Sequence, residues 1–518
     1  MEITVLGHAG FCVETSTAII VMDPWLSPTG AFDGSWFQYP CNHHLAAYVQ
    51  EKLSNTDKEC FLYISHEHKD HYDLGFLNSI VNRNFTLVLA NYKRGELREI
   101  LGSYSCKNLI CLEDGEQIEF GDGTMKLYLI DTELNRDSAI LVKTADASFF
   151  NINDCKLMDR LSQIVAEEGR MDVFASQYSG ASWHPTCYAY TRKEYERISR
   201  RKVRSKFEAV ARSLETVQPR IYLPTAGPPC FLDPELIHLN FEKINIFPRS
   251  YEVVKFLAKR LKNSATQIVE VMPGDRYDVS SRTWTYTSTP RLGPEDEEQY
   301  IRNYAALYST YFEQRTKNHT YSNAEEVYQK LATVLRMKLE HFKCHAMVVI
   351  PLFFILNDAP GQLLRVDFPS KEVKRVPRIT ETNFYSLKTN SWEIARIFDD
   401  KLTWEDFLLS LRFRLNREPD IYQTLIQGFL SLEVEDLDRF CDKVLANESN
   451  QERIVVEAGG SRYAINRYCP HDGGDLEKGW IAGKTIMCPR HRWVFDLDND
   501  GKCTTNDCSI HAFSLDQD

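Results

Sequence analysis

Near the C-terminal end of this 518-residue chain, Cys469-Pro470-His471 and Cys488-Pro489-Arg490-His491 are separated by residues 472–487. Two thiols and two imidazoles in this order confine the local chain to two tight loops facing one metal group. Pro470, Pro489 and Gly473-Gly474 are residue types that such loops use. Two chemistries accept the set: a two-iron cluster with the thiolates on one iron and the imidazoles on the other, or a tetrahedral zinc ion. Short β-type runs at 453–457, 462–466, 485–487 and 494–496 surround the pairs, so a small all-β domain is expected over 452–518. The polar, turn-forming stretch 446–451 is the expected boundary before it.

Cys-x-His followed by Cys-x-x-His, with Trp493 behind the second pair, resembles Rieske domains. That resemblance favours a [2Fe-2S] cluster on Cys469, His471, Cys488 and His491 over zinc. Cys503 and Cys508 fall outside the pattern. A Rieske centre passes electrons singly and makes no bond in a substrate, so a second reactive site is expected elsewhere in the chain.

The candidate is Ser65-His66-Glu67-His68-Lys69-Asp70-His71, directly after the apolar run 61–64. Histidines two apart on a loop leaving a strand can point the same way, and Asp70-His71 can turn back to the same cavity. The motif resembles the His-x-His-x-Asp-His signature of the metallo-β-lactamase fold. Phe149-Phe150-Asn151-Ile152-Asn153-Asp154 resembles the later strand whose terminal Asp reaches the metals. Leu6-Gly7-His8-Ala9-Gly10-Phe11 and Asp23-Pro24-Trp25-Leu26 resemble the opening strands of the ascorbate-phosphate lactonase subfamily. His8 is expected to line the cavity or to make a structural hydrogen bond.

No histidine occurs between His71 and His184, 131–137 offers acids instead, and the 223–227 loop has none, so a complete two-zinc hydrolase is not expected. Two imidazoles and one carboxylate suffice for a mononuclear non-haem Fe(II) with open positions, zinc or manganese being the alternative. His66, His68 and Asp154 form the simplest set. Asp70, His71 and Asp154 rival it, and His184 could complete either; the spacing leaves these sets open.

Apolar runs at 3–6, 19–22, 61–64, 86–89, 127–130, 139–142, 149–152 and 221–223 predict an α/β domain of packed sheets over 1–245. A long basic helix is predicted at 195–216. Residues 246–445 mix helical periodicity (324–344, 404–415) with a strand-like run (346–356) and are expected to be scaffold or oligomer contact. The fold class is thus α/β, an αββα metallo-β-lactamase-like domain, then a mixed middle region and a small all-β domain. A net charge of -12 argues against nucleic acid as partner. The start of the chain has no cationic region leading into an apolar one, and no apolar run reaches bilayer length, so a cytoplasmic protein without membrane insertion is expected. The 14 cysteines lack disulfide-scaffold spacing.

Together with the metal motif, Gln177-Tyr178-Ser179-Gly180-Ala181-Ser182, the basic helix leading to Gln218-Pro219-Arg220-Ile221-Tyr222-Leu223-Pro224-Thr225-Ala226-Gly227, and Arg417-Glu418-Pro419-Asp420-Ile421-Tyr422 resemble the CMP-N-acetylneuraminate hydroxylase family over about residues 1–430. In that family the Rieske domain is N-terminal, whereas here it follows. The resemblance implies a monooxygenase that receives electrons from a reductase or small carrier, ferredoxin-like or haem-containing. It would use dioxygen to hydroxylate or N-oxygenate a polar small molecule, such as a nucleotide-linked one. A homo-oligomer is expected by analogy with ring-shaped Rieske oxygenases. Two other readings compete: a lactonase or phosphodiesterase with a redox-regulatory Rieske unit, and an electron carrier or iron-sulfur sensor with a vestigial N-terminal site.

Overall fold

The computed structural model describes residues 1–180, 182–289, 291–315, 317, 323–359, 361–399, 402–449 and 452–516. They form two compact units. The first comprises Met1–Asp131, Asn135–Ser182 and Arg192–Glu313, the second Thr132–Leu134, Trp183–Thr191 and Gln314–Asp518.

Each apolar run predicted in the N-terminal region falls on a strand. Among the described residues, one sheet of the first unit runs Thr283–Thr285, Arg276–Asp278, Glu2–Gly7, Gly10–Glu14, Ala18–Met22, Glu59–Ile64, Thr86–Ala90, Asn108–Leu112. The other runs Gln267–Ile268, Ile221–Thr225, Val173–Gln177, Ser148–Asn151, Arg136–Thr144, Gly123–Asp131, Gln117–Phe120. Successive side chains on a strand point to opposite faces, and these runs are apolar on both, so each sheet must be covered twice. Ile3, Phe11, Ile20 and Tyr63 meet Leu127, Ile140, Phe149 and Ile221 in one buried cluster between the sheets. Outside the first sheet, Leu62, Leu87 and Leu89 pack with Val49, Phe76 and Leu97 of flanking helices. Outside the second, Leu141, Phe150 and Phe174 pack with Ile164, Phe207, Leu214 and Leu257. The layer order is helix, sheet, sheet, helix, the metallo-β-lactamase-like arrangement expected. Each such fully buried side chain contributes roughly 1.5–3 kcal/mol.

The sheets also take strands from beyond residue 245. Glu2 pairs with Asp278 and Ile221 with Gln267, so the first unit extends past the expected domain limit because both edges find partners there. The basic helix spans Arg192–Val217; Phe207, Val210, Ala211 and Leu214 are buried, whereas Arg200, Arg201 and Arg204 face solvent.

The second unit contains a sheet ordered Glu372–Val376, Leu363–Asp367, Leu352–Leu356, Phe384–Thr389, Arg414–Glu418. The expected helix at 404–415 ends early: Thr403 and Asp406 cap Trp404–Leu409, Leu411 turns with φ +60°, and the chain becomes a strand at Arg414. Residues 446–449 are the last turn of the helix Leu437–Ser449 rather than the expected turn, since polar composition alone does not stop a helix. Asn450 and Gln451 of that stretch lie outside the described residues. The C-terminal part holds two small sheets, Arg453–Ala458, Ser461–Asn466, Phe513–Ser514 and Trp480–Ala482, Thr485–Met487, Val494–Asp496, Lys502–Cys503. They close on Tyr463, Ile465, Leu476, Ile486 and Phe495. No helix among the described residues is long and apolar enough to cross a membrane.

One side chain in the second unit works against its stability. Lys338, on the helix Ala324–Glu340, is fully buried with no hydrogen-bond partner for Nζ, which lies 4.1 Å from the Trp404 ring centre and 5.5 Å from that of Phe429. Burial pushes the amine down to about 7, with Glu433 and Glu435 opposing. Between that value and the ordinary 10.5, the unfolded chain binds the extra proton, so stability rises with pH across this window. Lys338→Met is expected to raise unfolding free energy at pH 7 by roughly 2 kcal/mol and to flatten that rise, measured by denaturant unfolding at pH 7 and 9.5.

Candidate metal centres

The strand Glu59–Ile64 lies between two parallel neighbours, so its carboxyl end opens at the sheet rim and delivers the Ser65–His71 loop there. Asp23, just past the strand Ala18–Met22, fixes that loop. It accepts from the Ser65 N–H (2.8 Å) and hydroxyl (2.7 Å), and its Oδ2 lies 2.9 Å from His71 Nδ1. A carboxylate on Nδ1 sets the tautomer and leaves Nε2 as the donor.

Around His71 the structure brings together two groups of donors, His8/Asp70/His71 and His66/His71/Asp154; within each, the donor atoms lie within 4.8 Å of one another. His8 Nε2 is 3.0 Å from Asp70 Oδ2, and His71 Nε2 is 3.7 Å from Asp154 Oδ1. His68 joins through His66, whose Nε2 is 2.9 Å from His68 Nδ1. On the other edge of His66, Nδ1 lies 2.9 Å from Ser65 Oγ and 3.2 Å from Asp137 Oδ1. Asp154 follows the strand Ser148–Asn151 through Asn153, whose φ of +34° turns the chain and whose amide donates to the Ser138 carbonyl (2.8 Å).

The electrostatics are those of a dense, buried donor set. Burial, with His71 and His68 adding, pulls His66 down to about 3. Burial also opposes the charged form of His71, yet Asp70, Asp23 and Asp154 outweigh it and hold the ring up at about 10. Burial pushes Asp137 up to about 7. His71 Nε2, Asp70 Oδ1 and Asp154 Oδ1 are buried without a hydrogen-bond partner. Such atoms are costly to desolvate unless a cation meets them, so the residues fit a metal ion, and the two groups together offer more donors than one ion requires.

Of the expected residues, His66, Asp70, His71 and Asp154 therefore converge, whereas His68 belongs to neither donor group and meets His66 instead. His184 does not belong to either donor group. It lies in the Trp183–Thr191 segment of the second unit, with Nε2 2.9 Å from the Tyr190 hydroxyl and 3.4 Å from an Arg417 nitrogen. The Tyr190 hydroxyl in turn donates to Asp420 (2.8 Å), a polar network that occupies the imidazole. Spacing alone did not single out Asp23 and Asp137 as members of the site, whereas His8, expected to line the cavity or to make a structural hydrogen bond, lies against Asp70. The signal for His8 is its place between Gly7 and Gly10 in a tight turn, where it adopts φ +51°.

At the C-terminal pair of loops, the Gly473 N–H donates to the Cys469 carbonyl (2.8 Å) and the Cys469 N–H to Gly474 (2.9 Å). The Cys488 N–H donates to Trp493 (2.8 Å) and its carbonyl accepts from Arg492 (3.0 Å). Both cysteines are buried, and the His471 and His491 rings stand 4.7 Å apart at 87°. Trp493 stacks on His471 at 3.9 Å, with Tyr422 edge-on to both. Buried thiols beside crossed imidazoles suit a two-iron cluster of mixed ligation. A Cβ on Gly474 would lie 2.7 Å from Cys488 Sγ, so this position is a cradle for the sulfur. Gly474→Ala is expected to lower cluster content at least about twofold, read as acid-labile sulfide and visible absorbance per chain.

Residues 430–514 match the family model described as "Rieske [2Fe-2S] domain". Over almost its whole length the chain is similar to a protein of Mycobacterium tuberculosis named as a Rieske 2Fe-2S iron-sulfur protein: 27% identity over 527 residues, covering 98% of each chain. It is also 22% identical over 452 residues to the inactive cytidine monophosphate-N-acetylneuraminic acid hydroxylase of Homo sapiens, covering 84% of this chain and 85% of that one. Among solved structures, the diiron β-hydroxylase CmlA of Streptomyces venezuelae is 14% identical with a TM-score of 0.35, covering 55% of this chain and 54% of its own. The metallo-β-lactamase-fold protein YhfI of Bacillus subtilis is 10% identical with a TM-score of 0.34, covering 54% and 99%. The C-terminal part of the chain is a Rieske [2Fe-2S] domain, and its relatives include Rieske proteins and hydroxylases.

Proposed function

We propose that the chain is a Rieske-linked oxygenase, in which Cys469, His471, Cys488 and His491 hold the [2Fe-2S] cluster and the His66–His71 loop, with Asp154 and His8, holds non-haem iron. The observation that carries this reading is the presence in one polypeptide of a one-electron centre and a second buried donor set whose His71 Nε2, Asp70 Oδ1 and Asp154 Oδ1 have no hydrogen-bond partner. Iron bound there would activate dioxygen with electrons from the cluster, one oxygen atom entering the substrate and the other leaving as water.

The chain's own residues prepare that chemistry. Asp23 and Ser65 orient His71 and His66 through their Nδ1 edges, which leaves His71 Nε2 facing Asp154 and His66 Nε2 beside His68. Buried Trp25, which meets the half-buried His8 edge to face at 5.3 Å, limits the access of bulk water to the donors. A charged or polar small molecule is the substrate class, hydroxylated on carbon or oxygenated on nitrogen. Electrons come from a cytoplasmic reductase or a small ferredoxin-like or haem carrier, and the working form is a homo-oligomer.

Metal analysis of chain purified without dioxygen tests the reading: iron beyond the two atoms of the cluster is expected. Zinc alone in the N-terminal site, with turnover independent of dioxygen and reductant, would instead support the hydrolase.

A further inference from the structure

Two cavities of the first unit share a wall. The outer one, of about 950 Å³, lies among the Arg192–Val217 helix, the Ser250–Arg260 helix and the start of the Pro294–Ala306 helix. The inner one, of about 80 Å³, is lined by His8, Trp25 and Tyr178. Arg249 and Tyr251 line both. Arg249 is buried, its Nε donates to Glu297, and its guanidinium lies 4.4 Å from the Tyr39 ring centre. A buried ion pair at a shared wall is a place where a competing anion can be received, because Arg249 stays charged whichever carboxylate it meets.

The outer cavity has a definite chemistry. Phe207, Phe241, Phe247, Phe256 and Tyr251 supply an aromatic lining. Its glutamates are all engaged: Glu208 by Arg260, Glu242 by Arg192, Glu252 by the Arg249 N–H, Glu297 by Arg249 and Glu298 by Arg302. Arg204, Lys243 and Lys259 have no ion-pair partner among the described residues. The uncompensated charge is therefore positive, over an apolar floor large enough for a drug-sized molecule.

Resting on the oxygenase reading above, we infer that this cavity is the access site for the substrate, and that the substrate is an organic anion with an apolar body, a carboxylate or sulfonate rather than a neutral molecule. Its acidic group is held first by Arg204, Lys243 and Lys259. It is then passed to Arg249, which separates the outer cavity from the His8 side.

The probe is 8-anilinonaphthalene-1-sulfonate, titrated against the intact chain by fluorescence. Saturable binding is expected, displaced by decanoate but not by decanol, and weakened by salt. The surface variant R204E/K243E/K259E should lose affinity at least about tenfold while keeping the wild-type circular dichroism. Equal affinity in the variant, or displacement by decanol as readily as by decanoate, would overturn the assignment. In chain loaded with Co²⁺, saturating decanoate should shift the visible d–d bands. An unmoved spectrum with decanoate bound would overturn the access role. Failure of the N-terminal site to take up cobalt would count against the oxygenase reading, whereas the fluorescence titration decides the anion site without any metal.

Discussion

Replacing Asp154 with alanine is expected to slow the dioxygen-driven reoxidation of the reduced cluster at least about 100-fold, while the cluster's own EPR signal keeps its shape and intensity. Asp154 Oδ1 is buried without a hydrogen-bond partner and lies 3.7 Å from His71 Nε2. Removing it leaves the His66/His71/Asp154 group with imidazoles alone, a set that no longer balances the charge of Fe(II). The side chain makes no contact needed by the sheets: Asn153, not Asp154, bonds to Ser138 and shapes the turn. Wild-type circular dichroism with lost reoxidation is the expected pair of results. Unchanged reoxidation in this variant would assign the dioxygen chemistry elsewhere.

The second large effect is expected for Cys488→Ser. The sulfur is buried, its loop is closed by the Arg492 and Trp493 backbone bonds, and it sits against Gly474 with no room for another arrangement. Serine oxygen is a hard donor in a position built for a thiolate. Iron should fall by the two atoms of the cluster, the reduced-cluster EPR signal should vanish, and reductant-driven dioxygen uptake should fall at least about 100-fold. The N-terminal donors belong to the other compact unit, so iron bound there should persist. Metal analysis beside EPR separates the two losses. A variant that kept full dioxygen uptake would make the cluster dispensable.

Much of this was legible in the chain because it depends on local pattern. The strand runs are apolar on both faces, the signature of sheets covered twice, and every one of them is a strand. The Cys-x-His and Cys-x-x-His pairs are short enough for loop geometry to be read from their prolines and glycines. The His66–His71 loop is likewise contiguous, and its His66, Asp70 and His71 converge.

What escaped depends on contacts distant in sequence. Asp23 holds His71 from 48 residues away and Asp137 meets His66 across the sandwich, neither of which spacing reports. His184 could complete either candidate set by residue type, yet residues 183–191 belong to the second unit, where Tyr190 and Arg417 engage it. Residues 446–449 continue the helix Leu437–Ser449, since polar composition alone does not end one. Lys338 shows the same limit from the other side: helical periodicity cannot say that a lysine is fully buried against Trp404.

The central claim, that the cluster supplies electrons to dioxygen through the N-terminal centre, is tested most directly by rapid freeze-quench EPR of the reduced, iron-loaded chain mixed with dioxygen. The reduced-cluster signal is predicted to decay quickly in wild type and to persist in Asp154→Ala. Equal decay in the two proteins would contradict it.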